Sequence, residues 1–398
     1  MKRAGLRSLG LLAVGVAGCL CASTARAAEW RAHLVATYAE RPPGPGPVQA
    51  RLGELVRLQL VLERGSGRQG RLYAAASRLR LVPGGPLRRA LPLEELGPLR
   101  ISWYRVEPEL HHLALRPPNE GNPAYSNSVL FGPRHGVWLG YDRLEYRRTL
   151  IAGARGAVLE VRRAAPSHAK LAAHGGLGTM RFQAVVLIAG SEVSSPGLEA
   201  QERGGLSPAV MRVSFRAGDD LPGHLTSYFN VPNVFGSAGV AASKHQTELY
   251  QGADCADVIV GAARRAGARV PYTSALGLKA YSRPVTPRLL LKEDGLFLAD
   301  GPRKGERVRL RFGEEVRPGD LMLIDYYGFN GSPRSWDHVG VLAEDRGRKG
   351  ELDPEDQLLH MGYLHGLVKA ALSTEGPAYV QFLRFRPSIE RAWRAGSR

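Results

Sequence analysis

Apolar and polar positions alternate with a period of two along much of the first half of the chain. In "LVRLQLVLE", Leu58 and Leu60 alternate with Arg57 and Gln59, and "GAVLEVRR", "MRFQAVVLIAG" and "AVMRVSF" are similar short runs bounded by Gly, Pro or Ser. Such runs predict strands rather than helices. From Trp30 to about Arg216 no long amphipathic helix is evident, and Pro/Gly-rich loops such as "ERPPGPGPVQ" separate the runs. A β-sandwich or related all-β domain is the economical reading. The pattern changes from about Gly218, where a helix, a loop-rich stretch and then strands at "LMLIDYY", "DHVGVLAE", "LLHMGY" and "YVQFLRF" follow one another. A helix followed by antiparallel strands indicates an α+β unit. The expected organisation is therefore an all-β, sandwich-like domain over 28–217, followed by an α+β domain over 218–398.

The first 27 residues have a different logic. Lys2, Arg3 and Arg7 precede an apolar run from Leu9 to Ala22, and Ala25-Arg26-Ala27 offers a cleavage site. That is the layout of a signal peptide. No later stretch reaches the roughly 18 apolar residues that a membrane span needs. The expected location is outside the cytoplasm, periplasmic or extracellular. Val16-Ala17-Gly18-Cys19 also matches a bacterial lipobox, and under that alternative Cys19 becomes lipid-modified and the protein a membrane-anchored lipoprotein.

Export changes how the cysteines are read. Of the three, Cys19 and Cys21 lie in the signal region, so cleavage after Ala27 leaves Cys255 alone and excludes an intrachain disulfide. A single thiol in an exported chain points to intermolecular pairing or to reactivity. The formal net charge is +17; the leader holds four basic residues and no acid, so its removal lowers the charge to +13. Such a surface attracts anionic polymers or anionic lipid surfaces. No clustered basic and aromatic stripe of the nucleic-acid type is present, and nucleic acid is not an expected partner.

The stretch "YQGADCADVIVGAARRAG" specifies a helix around that cysteine. Asp254 is a good N-cap, Asp257 three residues on is an acidic variant of the capping box, and Gly267 supplies a C-terminal stop. Cys255 then takes the first helical position, where unsatisfied N–H groups favour a thiolate while Asp254 and Asp257 oppose it. A thiol nucleophile also needs a base to take and return its proton.

Four stretches in order, "DCAD" (254–257), "RPGDLMLIDYY" (317–327), "DHVGVL" (337–342) and "LLHMGY" (358–363), resemble the motifs of the NlpC-type cell-wall cysteine peptidases, relatives of papain with a circularly rearranged fold. The resemblance covers roughly residues 240–390. It implies a papain-like NlpC-type α+β domain, with Cys255 as nucleophile, His338 as general base and His360 as the residue orienting the His338 ring. Either His365 or Asp325 could fill the third role instead. Ala256 and Asp257 stand where the family usually has Ser and Gly, and the turn "DRGRKGELDPEDQ" is longer than usual.

Tyr250, just upstream of the nucleophile, is a candidate substrate-binding residue; in the alternative reading it is a core aromatic, as Phe229 and Phe235 are expected to be. The remaining histidines show no metal-ligand spacing, because the adjacent His111 and His112 cannot share one face, so no zinc site and no organic cofactor are implied. The function that follows is an exported hydrolase cleaving an amide bond in peptidoglycan, as endopeptidase or amidase, through an acyl-enzyme on Cys255. An acyltransferase and a noncatalytic wall-binding protein are the alternatives. A membrane is a partner only if Cys19 is lipidated, and the sequence leaves the oligomeric state open.

Overall fold

Ten main strands build the first half: β1 (Trp30–Tyr38), β2 (Val48–Arg51), β3 (Val56–Arg64), β4 (Arg71–Ala74), β5 (Arg100–Pro108), β6 (Tyr146–Leu150), β7 (Val158–Val161), β8 (Gly178–Ile188), β9 (Ser191–Ser194) and β10 (Met211–Arg216). The structure is a computed structural model and describes residues 30–65, 70–109, 125–126, 137–138, 144–202, 204–238, 245–326, 336–362 and 366–396. The leader, with its cleavage site and Cys19, lies outside the described residues.

In one sheet β3 pairs with β1 along its length, while its other edge is shared by β7, opposite Val56–Gln59, and β4, opposite Val61–Arg64. The second sheet runs β6-β5-β8-β10-β2, with β9 folded back on the end of β8 and β2 parallel to β10. The two sheets share a core: Leu58, Leu60 and Leu62 of β3 join Trp103, Phe182, Val213 and Phe215 from the other sheet. The opposite face of β3 is covered as well, by a smaller cluster of Val35, Val61, Leu72, Leu79 and Ala90. A strand buried on both faces explains why Val61 breaks the alternation of its neighbours.

The second half is organised around a nine-stranded antiparallel sheet. Its members are β11 (Ser282–Pro284), β12 (Leu289–Lys292), β13 (Gly295–Leu298), β14 (Arg307–Val308), β15 (Leu321–Asp325), β16 (His338–Glu344), β17 (Gln357–Gly362), β18 (Gly366–Ala371) and β19 (Ala378–Phe385). The order is β14-β13-β12-β19-β15-β16-β17-β18, with β11 beside β12 on the same edge of β19. Alternation along β15 sends Leu321 and Leu323 to a core shared with the helices, and Met322 and Ile324 to a separate core on the other face. All four are fully buried, each worth roughly 1.5–3 kcal/mol of burial.

The helices are few and short: α1 (Ala169–Ala172), α2 (Leu221–Thr226), α3 (Cys255–Arg265) and α4 (Pro387–Gly396). The expected papain-like α+β domain is therefore corrected. The described chain is mostly β-sheet, 41% strand against 13% helix in four helices. The physical source of the difference is the stretch read as loop-rich. Its "LLLKEDGLFL" closes a two-residue hairpin, with Lys292 paired to Gly295 and Gly295 at φ +147°, and so extends the sheet by strands where loop was expected.

The halves meet through buried polar contacts. Thr179 Oγ1 donates to the Ser227 carbonyl at 2.8 Å, Gln246 Nε2 to that of Gly204 at 2.7 Å, and Gln251 Nε2 to that of Leu206 at 2.6 Å.

Candidate active site

Helix α3 is held at both ends by its own sequence. Asp254 Oδ1 accepts the N–H groups of Ala256 and Asp257 at 3.0 and 2.8 Å, and its Oδ2 accepts that of Gly236 at 3.0 Å. At the other end Gly267, at φ +96°, donates to the Arg264 carbonyl and Ala268 donates to that of Ala263, which is the Schellman closure. Asp257 differs from its expected capping-box role. Its carboxylate accepts from Ser237 Oγ at 2.7 Å and Ala238 N–H at 2.8 Å, so it fastens the preceding loop to the helix.

Cys255 starts this helix, half-buried and unpaired. Its sulfur lies near the backbone N–H groups of Ala256 and Val339, which favour its thiolate. The second of these brings the thiol to the sheet. Pairing between β16 and β17 begins at Gly340 and His360, so the Val339 N–H lies just beyond the ladder, one residue from His338. Val339 and Val341 turn their side chains toward the α3 core, whereas His338 and His360 share the opposite face with Ile324 and Leu358. The sulfur thus lies near the start of β16.

His338 Nε2 lies 2.9 Å from His360 Nδ1, with the two rings edge to face. Register explains the pairing, because Gly340 stands opposite His360 and supplies no side chain between the rings. Beyond them, His360 Nε2 is 3.4 Å from Glu375 Oε1, and Glu375 Oε2 accepts the Tyr326 hydroxyl. Tyr326 follows β15 and closes back on His338, ring centroids 6.1 Å apart. Its backbone N–H donates to Asp337 Oδ2 at 3.2 Å. His360 and Glu375 are 7% and 8% exposed. Glu375 escapes sequence reasoning because it sits in a 3-10 turn fifteen residues after His360, with no motif around it.

Burial sets the charge state. It pushes the Cys255 thiol well above its ordinary value, with the Asp254 carboxylate adding to the effect and the Val339 and Ala256 N–H groups opposing it. Burial and the neighbouring His360 hold His338 well below the usual imidazole range, and burial lowers His360 too, against Glu375. At neutral pH the site rests as thiol and neutral imidazole. Asp254 and the buried Asp257 near it are both raised, chiefly by the loss of solvent around them.

His338, His360 and Glu375 each bring a potential ligand atom within 4.8 Å of the others. The geometry is that of a chain rather than a chelate. His360 turns Nδ1 to His338 and Nε2 to Glu375, and one ring cannot direct both nitrogens at a single ion.

Of the other candidates for the third role, Asp325 is 1% exposed and bonded to Arg288 Nη2 at 2.9 Å, while His365 lies outside the described residues. Asp320 of the "PGD" turn has a bracing role, bound by Arg384 through both oxygens at 2.7 Å. Tyr250 lies in the interior. It is fully buried, stacked on Tyr228 at 4.1 Å and approached by the guanidinium groups of Arg212 and Arg265 at 4.0 and 4.6 Å. Its hydroxyl bonds Gln49 of β2 at 2.5 Å and Ser227 at 2.8 Å.

No family model matches the chain, and no curated protein matches it.

Proposed function

We propose that the protein is an exported cysteine hydrolase that cleaves an amide bond in the peptide part of the cell wall. The observation that carries this reading is the 2.9 Å His338–His360 pair, which begins one residue from Val339, whose backbone N–H lies near the Cys255 sulfur at the start of α3. The four ordered stretches resembling NlpC-type peptidases support it at the level of chemistry, on a scaffold richer in β-sheet than theirs was expected to be.

Because thiol and imidazole both rest neutral, activation is by general base rather than by a preformed ion pair. As the sulfur attacks the substrate carbonyl, its proton passes to His338. Asp254 claims the Ala256 and Asp257 N–H groups, which leaves the Cys255 N–H at the helix start to stabilise the oxyanion. His338 then returns the proton to the leaving amine, and water releases the acyl group. The net positive charge of the exported chain suits an anionic wall polymer. The test is digestion of purified peptidoglycan by the mature protein beside Cys255→Ala, with mass analysis of the fragments. New amide-cleavage products only with the parent protein are expected; identical fragment patterns would end the proposal.

A further inference from the structure

We propose that Glu375, held by Tyr326, is a positioning residue that fixes the direction of every proton along the histidine pair and so makes His338 a base at the nitrogen turned away from His360. This rests on the Cys255–His338 reading above and adds the device that orients it.

The argument follows donors and acceptors along the chain. An ionised carboxylate only accepts, and a neutral imidazole carries one donor and one acceptor nitrogen. The Tyr326 hydroxyl donates to Glu375 Oε2, and burial, reinforced by Glu375, raises its pKa so that it keeps its proton. Glu375 Oε1 is then the acceptor facing His360 Nε2, a buried nitrogen with no hydrogen-bond partner among the described residues besides this 3.4 Å approach. Catalytic bonds often start long and tighten when substrate binds. With the proton on Nε2, His360 Nδ1 is bare and must accept, so the 2.9 Å contact requires His338 to donate from Nε2. His338 Nδ1 is left as the lone pair, the nitrogen that the proposed mechanism needs as its base. The reverse order would place a proton on His338 Nδ1 and abolish the base, at no cost to the histidine–histidine bond itself. Only the acceptor at the far end distinguishes the two orders.

The experiment measures this without substrate. Protein labelled with nitrogen-15 in histidine, with His338 and His360 assigned through single replacements, reports tautomers directly in its ring shifts. In the parent protein both rings should show the Nε2–H form. In Glu375→Gln the amide can turn either group toward His360, so the lock is lost. Mixed or Nδ1–H forms are expected, together with at least a tenfold slower reaction of Cys255 with iodoacetamide at pH 7, on the scale of other supporting-residue losses. Glu375→Asp, which keeps an acceptor-only carboxylate, should restore the Nε2–H form and most of the rate. Retention of a single Nε2–H form and an unchanged alkylation rate in Glu375→Gln would overturn the proposal. The ring shifts stand whether or not peptidoglycan is cleaved, so failure of the hydrolase reading is separately visible.

Discussion

A single methyl group at Gly340 tests how closely the histidine pair depends on the register of β16 and β17. A Cβ there would stand 2.6 Å from both Cγ and Cδ2 of Leu358 and 3.0 Å from Cβ of His360. Carbon atoms rest at about 3.5–4.0 Å, so Leu358 must withdraw by roughly 1 Å. Leu358 is fully buried in the core with Met322, Ile324, Leu342 and Phe382 and has little room to do so. Overpacking of this kind costs about 1–3 kcal/mol. Whatever strain the core does not absorb separates the two strands and draws His360 from His338, opening the 2.9 Å contact. Gly340→Ala should therefore lower the unfolding free energy by that amount, read as a lower urea midpoint, and also slow alkylation of Cys255 in protein that remains folded. A variant with unchanged midpoint and unchanged Cys255 reactivity would refute both the packing and the relay argument.

Two further outcomes follow from groups outside the relay. Burial, aided by the Arg216 charge, lowers the pKa of His224 to about 4. The unfolded chain therefore binds the proton first, and stability is full above about pH 6.5 and lost as pH falls toward 4. The loss from this residue is at most about 3.5 kcal/mol at roughly 1.4 kcal/mol per unit, and urea midpoints measured from pH 7 to 4 should flatten in His224→Gln. Tyr250→Phe removes hydrogen bonds to Gln49 and Ser227, which should cost about 1–3 kcal/mol. The rate per folded molecule should be unaltered, whereas a raised KM at parental stability would return Tyr250 to the substrate site.

What was legible in the sequence was local. Asp254 and Gly267 mark the ends of α3 because caps act within a turn of the chain, and the short apolar runs mark β15, β16, β17 and β19 because alternation needs only neighbours. Leu289-Leu290-Leu291 gave no such signal, since β12 is apolar without alternation, and a three-residue apolar run does not distinguish strand from loop. Tyr250 stands close to Cys255 in sequence, yet its hydroxyl bonds Gln49 of β2, about two hundred residues earlier. Glu375 has the same character. Its relation to His360 exists only after β17 and β18 pair and the 3-10 turn folds back, and no spacing rule encodes that closure.

The neutral resting site is the consequence of the fold that most constrains the chemistry. A helix start alone favours a thiolate, and the Val339 and Ala256 N–H groups add to that tendency. Here Asp254, whose capping of α3 brings a carboxylate beside the sulfur, works with burial in the other direction. The residue that makes the helix well defined is thus one that keeps the Cys255 thiol protonated. A thiol held in that state is poorly reactive until substrate supplies a carbonyl for it to attack. In the proposed mechanism the burden of activation then falls on His338 at the moment of attack, when the imidazolium that forms must be stabilised from behind. Glu375 is placed to do this through His360, and its negative charge matters more to a base that begins neutral than to one already paired with a thiolate.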